Sequence, residues 1–129
     1  MSKVVLDASA LLALFNKEPG SQRVLPLLPE AVMIAVNWSE VVAKIAESGV
    51  PRHLMRTALS EFQIEIVSFD EELAYEAGLL RPATKELGLS LADRACLALA
   101  QKLQVPVVTT DRIWERLSAR LKVQVEVVR

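Results

Sequence analysis

Four carboxylates stand at comparable places in an otherwise apolar chain: Asp7, Glu40, Asp93 and Asp111. Asp7 directly follows Val4-Val5-Leu6, and Asp111 closes Val107-Val108-Thr109-Thr110-Asp111. Glu40 lies in Asn37-Trp38-Ser39-Glu40 and Asp93 in Ser90-Leu91-Ala92-Asp93, each in the first turn of a helical pattern. Two unit charges about 5 Å apart repel by about 3 kcal/mol at an effective dielectric of about 20. Four carboxylates gathered in one place therefore call for a cation. Oxygen-only ligands suit Mg²⁺ or Mn²⁺, and such a site can activate water and stabilise the leaving oxygen of a phosphodiester. The expected catalytic and metal-binding residues are Asp7, Glu40, Asp93 and Asp111, with Asp7 and Asp93 as the main metal holders.

Each acid also has a plainer explanation. Asn37 with Glu40 and Ser90 with Asp93 loosely fit a capping box, and Asp7 and Asp111 fit helix N-caps. Acids near helix N-termini are favourable in any case. Capping explains each acid singly better than it explains all four against an apolar background. The single histidine, His53, falls on a surface helix pattern, and the single cysteine, Cys96, falls one turn after Asp93 among core residues. No Ser/His/Asp arrangement can be built from them. Arg81, Arg94 and Arg112 are either phosphate contacts or parts of solvated faces. Thr109 and Thr110 read as plain strand-end residues rather than as support for a metal site.

The elements that must position these acids alternate between strand and helix. Strands are expected at 3–6, 31–36, 64–67, 105–109 and 123–128. Helices are expected at 9–15, 38–47, 51–62, 71–80 with an extension toward 87, 92–103 and 112–119. A short helix after Pro19-Gly20-Ser21 is bent or ended by Pro26. The last strand alternates, with Gln124 and Glu126 on one face, as an edge strand does. Such alternation predicts βαβ units and a parallel sheet covered by helices. In such a sheet, ligands bind beyond the carboxyl ends of the strands. Asp7, Glu40 and Asp111 share that edge, and Asp93 joins them if its helix points its N-terminus there.

The 129 residues fit one domain, 1–129, and 52% are hydrophobic, ample for one core. A net charge of −1 with few aromatics argues against a protein that coats nucleic acid, but not against an enzyme touching a few phosphates. One cysteine permits no internal disulfide. The start reaches Asp7 after three apolar residues, too short for a signal-peptide core, and no run approaches the roughly 18 apolar residues of a membrane span. A soluble, cytoplasmic protein without membrane contact is expected.

Val4-Val5-Leu6-Asp7-Ala8-Ser9-Ala10-Leu11 resembles the opening strand and helix of a PIN domain. Ser39-Glu40, the segment Leu89-Ser90-Leu91-Ala92-Asp93-Arg94-Ala95-Cys96, and Val108-Thr109-Thr110-Asp111-Arg112 resemble that family's other acidic motifs, in order and spacing along the whole chain. The size is similar to that of VapC-type toxins of toxin–antitoxin pairs. The resemblance implies a three-layer Rossmann-like α/β fold with a mostly parallel five-stranded sheet flanked by helices. It also implies a Mg²⁺- or Mn²⁺-dependent endoribonuclease acting on RNA, a homodimer and a VapB-type antitoxin partner. Carried over by position, Asp7, Glu40, Asp93 and Asp111 are the metal-binding acids.

Other readings are weaker. A PIN-like module that binds protein or RNA without cutting would not need all four acids. A haloacid-dehalogenase-like phosphatase wants a second Asp where Ser9 stands. A receiver domain could use Asp70, but no Lys ends the last strand. The four glycines form no phosphate-binding loop. Apolar residues in 25–28, 54–59 and 73–80 exceed what one sheet must cover; they form either core or a dimer or antitoxin surface.

Overall fold

The computed structural model describes residues 3–129. Short apolar runs form five strands: β1 (Val4–Leu6), β2 (Ala31–Ile34), β3 (Glu65–Val67), β4 (Val107–Thr109) and β5 (Val125–Val127). All pairings are parallel, in the order β3-β2-β1-β4-β5. The three central strands are buried along their whole length, as parallel strands covered on both faces must be. Eight helices connect and flank them: α1 (Ala8–Phe15), α2 (Ser21–Val24), α3 (Ala35–Glu47), α4 (Arg52–Ser60), α5 (Glu71–Leu79), α6 (Arg81–Thr84), α7 (Leu91–Leu103) and α8 (Leu117–Leu121).

The two-residue period of each strand sorts its side chains between two cores. Val5, Val32, Ile34 and Val107 pack with Leu73 of α5, Leu97 and Leu99 of α7, and Trp114. Val4, Leu6, Met33 and Val108 pack with Leu11 of α1, Val41 and Ile45 of α3, and Met55 and Leu59 of α4. The result is the expected three-layer α/β sandwich of helices, sheet and helices. Among the described residues, no helix is long and apolar enough to cross a membrane.

Several boundaries differ from expectation for physical reasons. The strand expected over 31–36 ends at Ile34, and Ala35 already begins α3; an unbroken apolar run carries no mark of the change. The strand expected from 105 begins at Val107. The Val105 N–H instead donates to Ala100 O at the end of α7 (3.2 Å), and Pro106 has no N–H to give. The helix extended toward 87 breaks after α5 into four-residue α6, with Pro82 in its first turn, and a 3₁₀ turn over Lys85–Leu87. The helix expected over 112–119 is a 3₁₀ segment, Arg112–Arg116, followed by α8. β5 is an edge strand as expected, with Gln124 and Glu126 exposed.

The surplus apolar residues divide between core and exposed surface. Leu59, Leu73 and Leu80 are buried, whereas Leu25, Leu54, Tyr75 and Leu79 are exposed, Tyr75 by 67% and Leu79 by 57%.

Gly20 locks α2 against the chain end. Its φ is +96°, and a Cβ there would lie 2.6 Å from Val128 O. An alanine would thus meet both a disfavoured backbone conformation and a backbone atom that cannot swing aside. Gly20→Ala should destabilise the fold by more than about 1 kcal/mol. Urea denaturation checks this, and an unchanged midpoint would contradict the packing described.

Candidate active site

Parallel register sets the first contact of the site. Leu6 pairs with Val108, so Asp7 and Thr109 come level on adjacent strands. The Asp7 N–H continues the ladder to Val108 O (3.1 Å). The Asp7 side chain then turns to cap α1, its Oδ1 accepting from the Ala10 N–H (2.9 Å). Ser9 Oγ donates to the same oxygen (2.7 Å), and Thr109 Oγ1 donates to Oδ2 (2.6 Å). Both hydroxyls also accept from the loop after β4: Ser9 from the Thr110 N–H and Thr109 from the Asp111 N–H, each at 3.0 Å. One carboxylate thus ties β1, α1 and the end of β4 together.

Asp7 is only 6% exposed. Burial pushes its carboxyl up from 3.8 to about 6, aided by the like charge of Asp93 and opposed by the hydrogen bonds from Thr109, Ser9 and Ala10. Cys96 reports the same crowding from below. Its thiol is pushed well above the usual range, first by burial and then by Asp7, Asp93 and Glu40. Cys96 itself is fully buried core, as the sequence suggests.

Asp93 reaches this edge because α7 points its N-terminus there. Asn37, in the first turn of α3, donates from Nδ2 to Ala92 O (3.2 Å) and to Glu40 Oε1 (3.1 Å). Asp93 sits in a capping box: Ser90 N–H donates to Asp93 Oδ2 (2.9 Å), and Asp93 N–H donates to Ser90 Oγ (3.1 Å). Glu40 forms no such box, since α3 starts at Ala35 and Asn37 already lies inside it. Asp111 is exposed and its Oδ1 caps the following 3₁₀ segment through the Ile113 N–H (3.0 Å). Asp7, Asp93 and Glu40 thus lie near enough to act together on Cys96, while the structure ties Asp111 to Asp7 only through its backbone N–H on Thr109, its carboxylate being exposed.

Three polar residues at the site go beyond the four acids. Thr109 is not a plain strand end: it is fully buried and holds Asp7. Its signal was a hydroxyl at the close of a buried apolar strand. Ser9, two residues after Asp7, and Asn37, three before Glu40, carried only spacing as a signal. Arg94 does not lie on a solvated face. Its Nη1 donates to Ala77 O near the end of α5 (3.1 Å), and its Nε is buried without a partner among the described residues. Arg81, Arg112 and His53 are exposed.

Among the described residues, no three His, Cys, Asp or Glu side chains form a ready-made cage for a cation. Mg²⁺ does not demand one: it keeps several waters and is commonly held by one or two carboxylates. Asp93 Oδ1, Glu40 Oε2 and Asp111 Oδ2 accept no hydrogen bond among the described residues. The oxygen-only donors and the strained ionisation of Asp7 fit such an ion.

The PIN domain family model matches residues 4–120. The chain belongs to the PIN domain family. Its fold is similar to that of a chain in the DNA-bound VapBC structure from Salmonella typhimurium (20% identity, 98% of each chain, TM-score 0.73). It is also similar to a chain of VapBC2 from Rickettsia felis, bound to a promoter DNA fragment (19% identity, 98% of each chain, TM-score 0.76). FitAcB from Neisseria gonorrhoeae is a third such PIN-like neighbour (22% identity, 95% of each chain, TM-score 0.69). Among curated proteins, nothing matches.

The raised Asp7 carboxyl has a definite sign. Because the folded protein holds that proton more tightly than the unfolded chain, this group favours the fold below pH 3.8, and the advantage fades as pH rises toward about 6. The loss is on the order of 3 kcal/mol. In EDTA, urea unfolding of the wild type should show this decline, and Asp7→Asn should lack it. Equal pH slopes in the two proteins would contradict the burial argument.

Proposed function

We propose that this PIN domain is a Mg²⁺- or Mn²⁺-dependent endoribonuclease, the toxin of a toxin–antitoxin pair. One observation carries the reading: a buried carboxylate, Asp7, feels the like charge of Asp93, with no basic side chain among the described residues acting to neutralise it. Asp7 and Asp93 would hold the ion, with Glu40 and Asp111 completing the acidic set. When bound, that ion supplies an activated water and offsets phosphate charge. The chain's own residues do the rest. Thr109 and Ser9 fix the orientation of the Asp7 carboxylate. The capping box fixes Asp93. Burial under α1 and α7 keeps bulk water from Asp7. RNA as substrate and a cytoplasmic setting follow the resemblance to VapC-type toxins.

The same resemblance supports a VapB-type antitoxin and a homodimer. VapBC and FitAcB structures are among the solved structures this fold is similar to. A groove of about 1050 Å³ opens between α3 and α4, with Trp38, Val42, Met55 and Leu59 as apolar lining and Arg52 and Arg56 also lining it. We place an antitoxin segment there. Exposed Tyr75 and Leu79 on α5 suit a second copy of the chain. Sedimentation at micromolar concentration should show a dimer; monomer alone would remove that part of the proposal.

A second reading is a PIN domain that binds without cutting. It is favoured by the capping roles that Asp7, Asp93 and Asp111 each already fill. Cleavage assays on RNA and DNA in Mn²⁺ separate the two. The nuclease reading predicts RNA cleavage abolished by EDTA and lowered in Asp7→Asn and Asp93→Asn by more than the 10–100-fold typical of outer-shell partners. Cleavage at wild-type rates in either variant would overturn it.

A further inference from the structure

Asn37 is more deeply buried than any acid around it, at 1% exposed. Both groups that its Nδ2 meets, Glu40 Oε1 and Ala92 O, are acceptors. That fixes the amide orientation, because the reverse would set Oδ1 against a carboxylate and a carbonyl. Oδ1 consequently points away, and it is buried without a hydrogen-bond partner among the described residues.

An orphaned buried acceptor works against folding. A leucine of similar shape would fill the same space without that burden, and it would strand neither acceptor: Ala92 O keeps its place in the α7 ladder, and Glu40 is exposed to water. Asparagine is therefore not the residue that folding alone favours here. What the amide provides is two donated hydrogen bonds. One ends on the Glu40 carboxylate, and the other on the turn of α7 immediately before Asp93. The donor is also uncharged. A lysine or arginine would hold Glu40 by cancelling the charge a cation needs, whereas an amide tethers the carboxylate and leaves that charge in place.

We propose that Asn37 is a positioning residue that holds Glu40 in register with the Asp93 end of α7, retained for the site at the expense of fold stability. The inference rests on the metal-dependent reading above.

The test compares wild type, Asn37→Leu, Glu40→Gln and the double variant by Mn²⁺ titration calorimetry and by urea denaturation in EDTA. Asn37→Leu should be at least as stable as wild type, yet bind Mn²⁺ about 10-fold or more weakly. In the Glu40→Gln background the same change should alter affinity by less than about twofold, because the residue it acts through has already been changed. Asn37→Ser, which keeps one donor, should recover part of the affinity. Wild-type affinity in Asn37→Leu, an equal loss in both backgrounds, or a large loss of stability in Asn37→Leu would each overturn the proposal. If the folded wild type binds no Mn²⁺, the nuclease reading falls and takes this inference with it; normal wild-type binding with unaffected variants removes this inference alone.

Discussion

Everything at this site depends on keeping one carboxylate, that of Asp7, in a place where water does not reach it. Its position is dictated by the sheet. β1 is the central strand, and Asp7 is the first residue past its end, level with the last residue of β4. The protein meets the cost in part, with donors from Ser9, Ala10 and Thr109. It does not meet it in full, since burial still leaves the carboxyl raised to about 6. A core designed for stability alone would place an apolar or neutral residue here. On the metal-dependent reading proposed above, that residual penalty is what a site built to receive a positive charge would carry.

The same carboxylates also build the fold. Asp7 caps α1, Asp93 closes the capping box of α7, and Asp111 caps the 3₁₀ segment after β4. Each helix start is thereby pinned to the sheet edge where the acids collect. Capping and metal holding are compatible because a carboxylate has two oxygens: Asp93 and Asp111 each give one to a backbone N–H and leave the other without a hydrogen bond among the described residues. Asp7 differs: Oδ1 accepts from Ala10 and Ser9, whereas Oδ2 accepts only from Thr109 and keeps a lone pair for an ion, and it is also the acid most deeply buried.

The order of strands and helices and the common edge for Asp7, Glu40 and Asp111 were legible because burial on both faces writes long apolar runs, and acids interrupt them abruptly. The limits of that legibility are local. Ala35 and Val36 continue the apolar run of β2 although they already belong to α3, so the spacing of Asn37 and Glu40 suits a loose cap as well as the shared helix face they occupy. A strand's last residue is often polar, so the sequence around Thr109 suggests a plain strand end. Only the register between β1 and β4 shows that its hydroxyl faces Asp7. The approach of α7 to α3 had no sequence signal, since it rests on a side chain meeting a carbonyl 55 residues away.

On the metal-dependent reading, Asp7 would be a liability to the apoprotein and an asset once a cation is bound. The most direct measurement is the order of stability of wild type and Asp7→Asn at pH 8, first in EDTA and then in saturating Mn²⁺. The amide can occupy the same cavity, with the Thr109 hydroxyl turned to accept from it, so the variant should be the more stable protein in EDTA. In Mn²⁺ the order should reverse, because an ion at about 1,000 times its dissociation constant stabilises the folded wild type by about 4.1 kcal/mol, more than the carboxylate costs, and has lost its main ligand in the variant. The same order in both buffers would contradict the account.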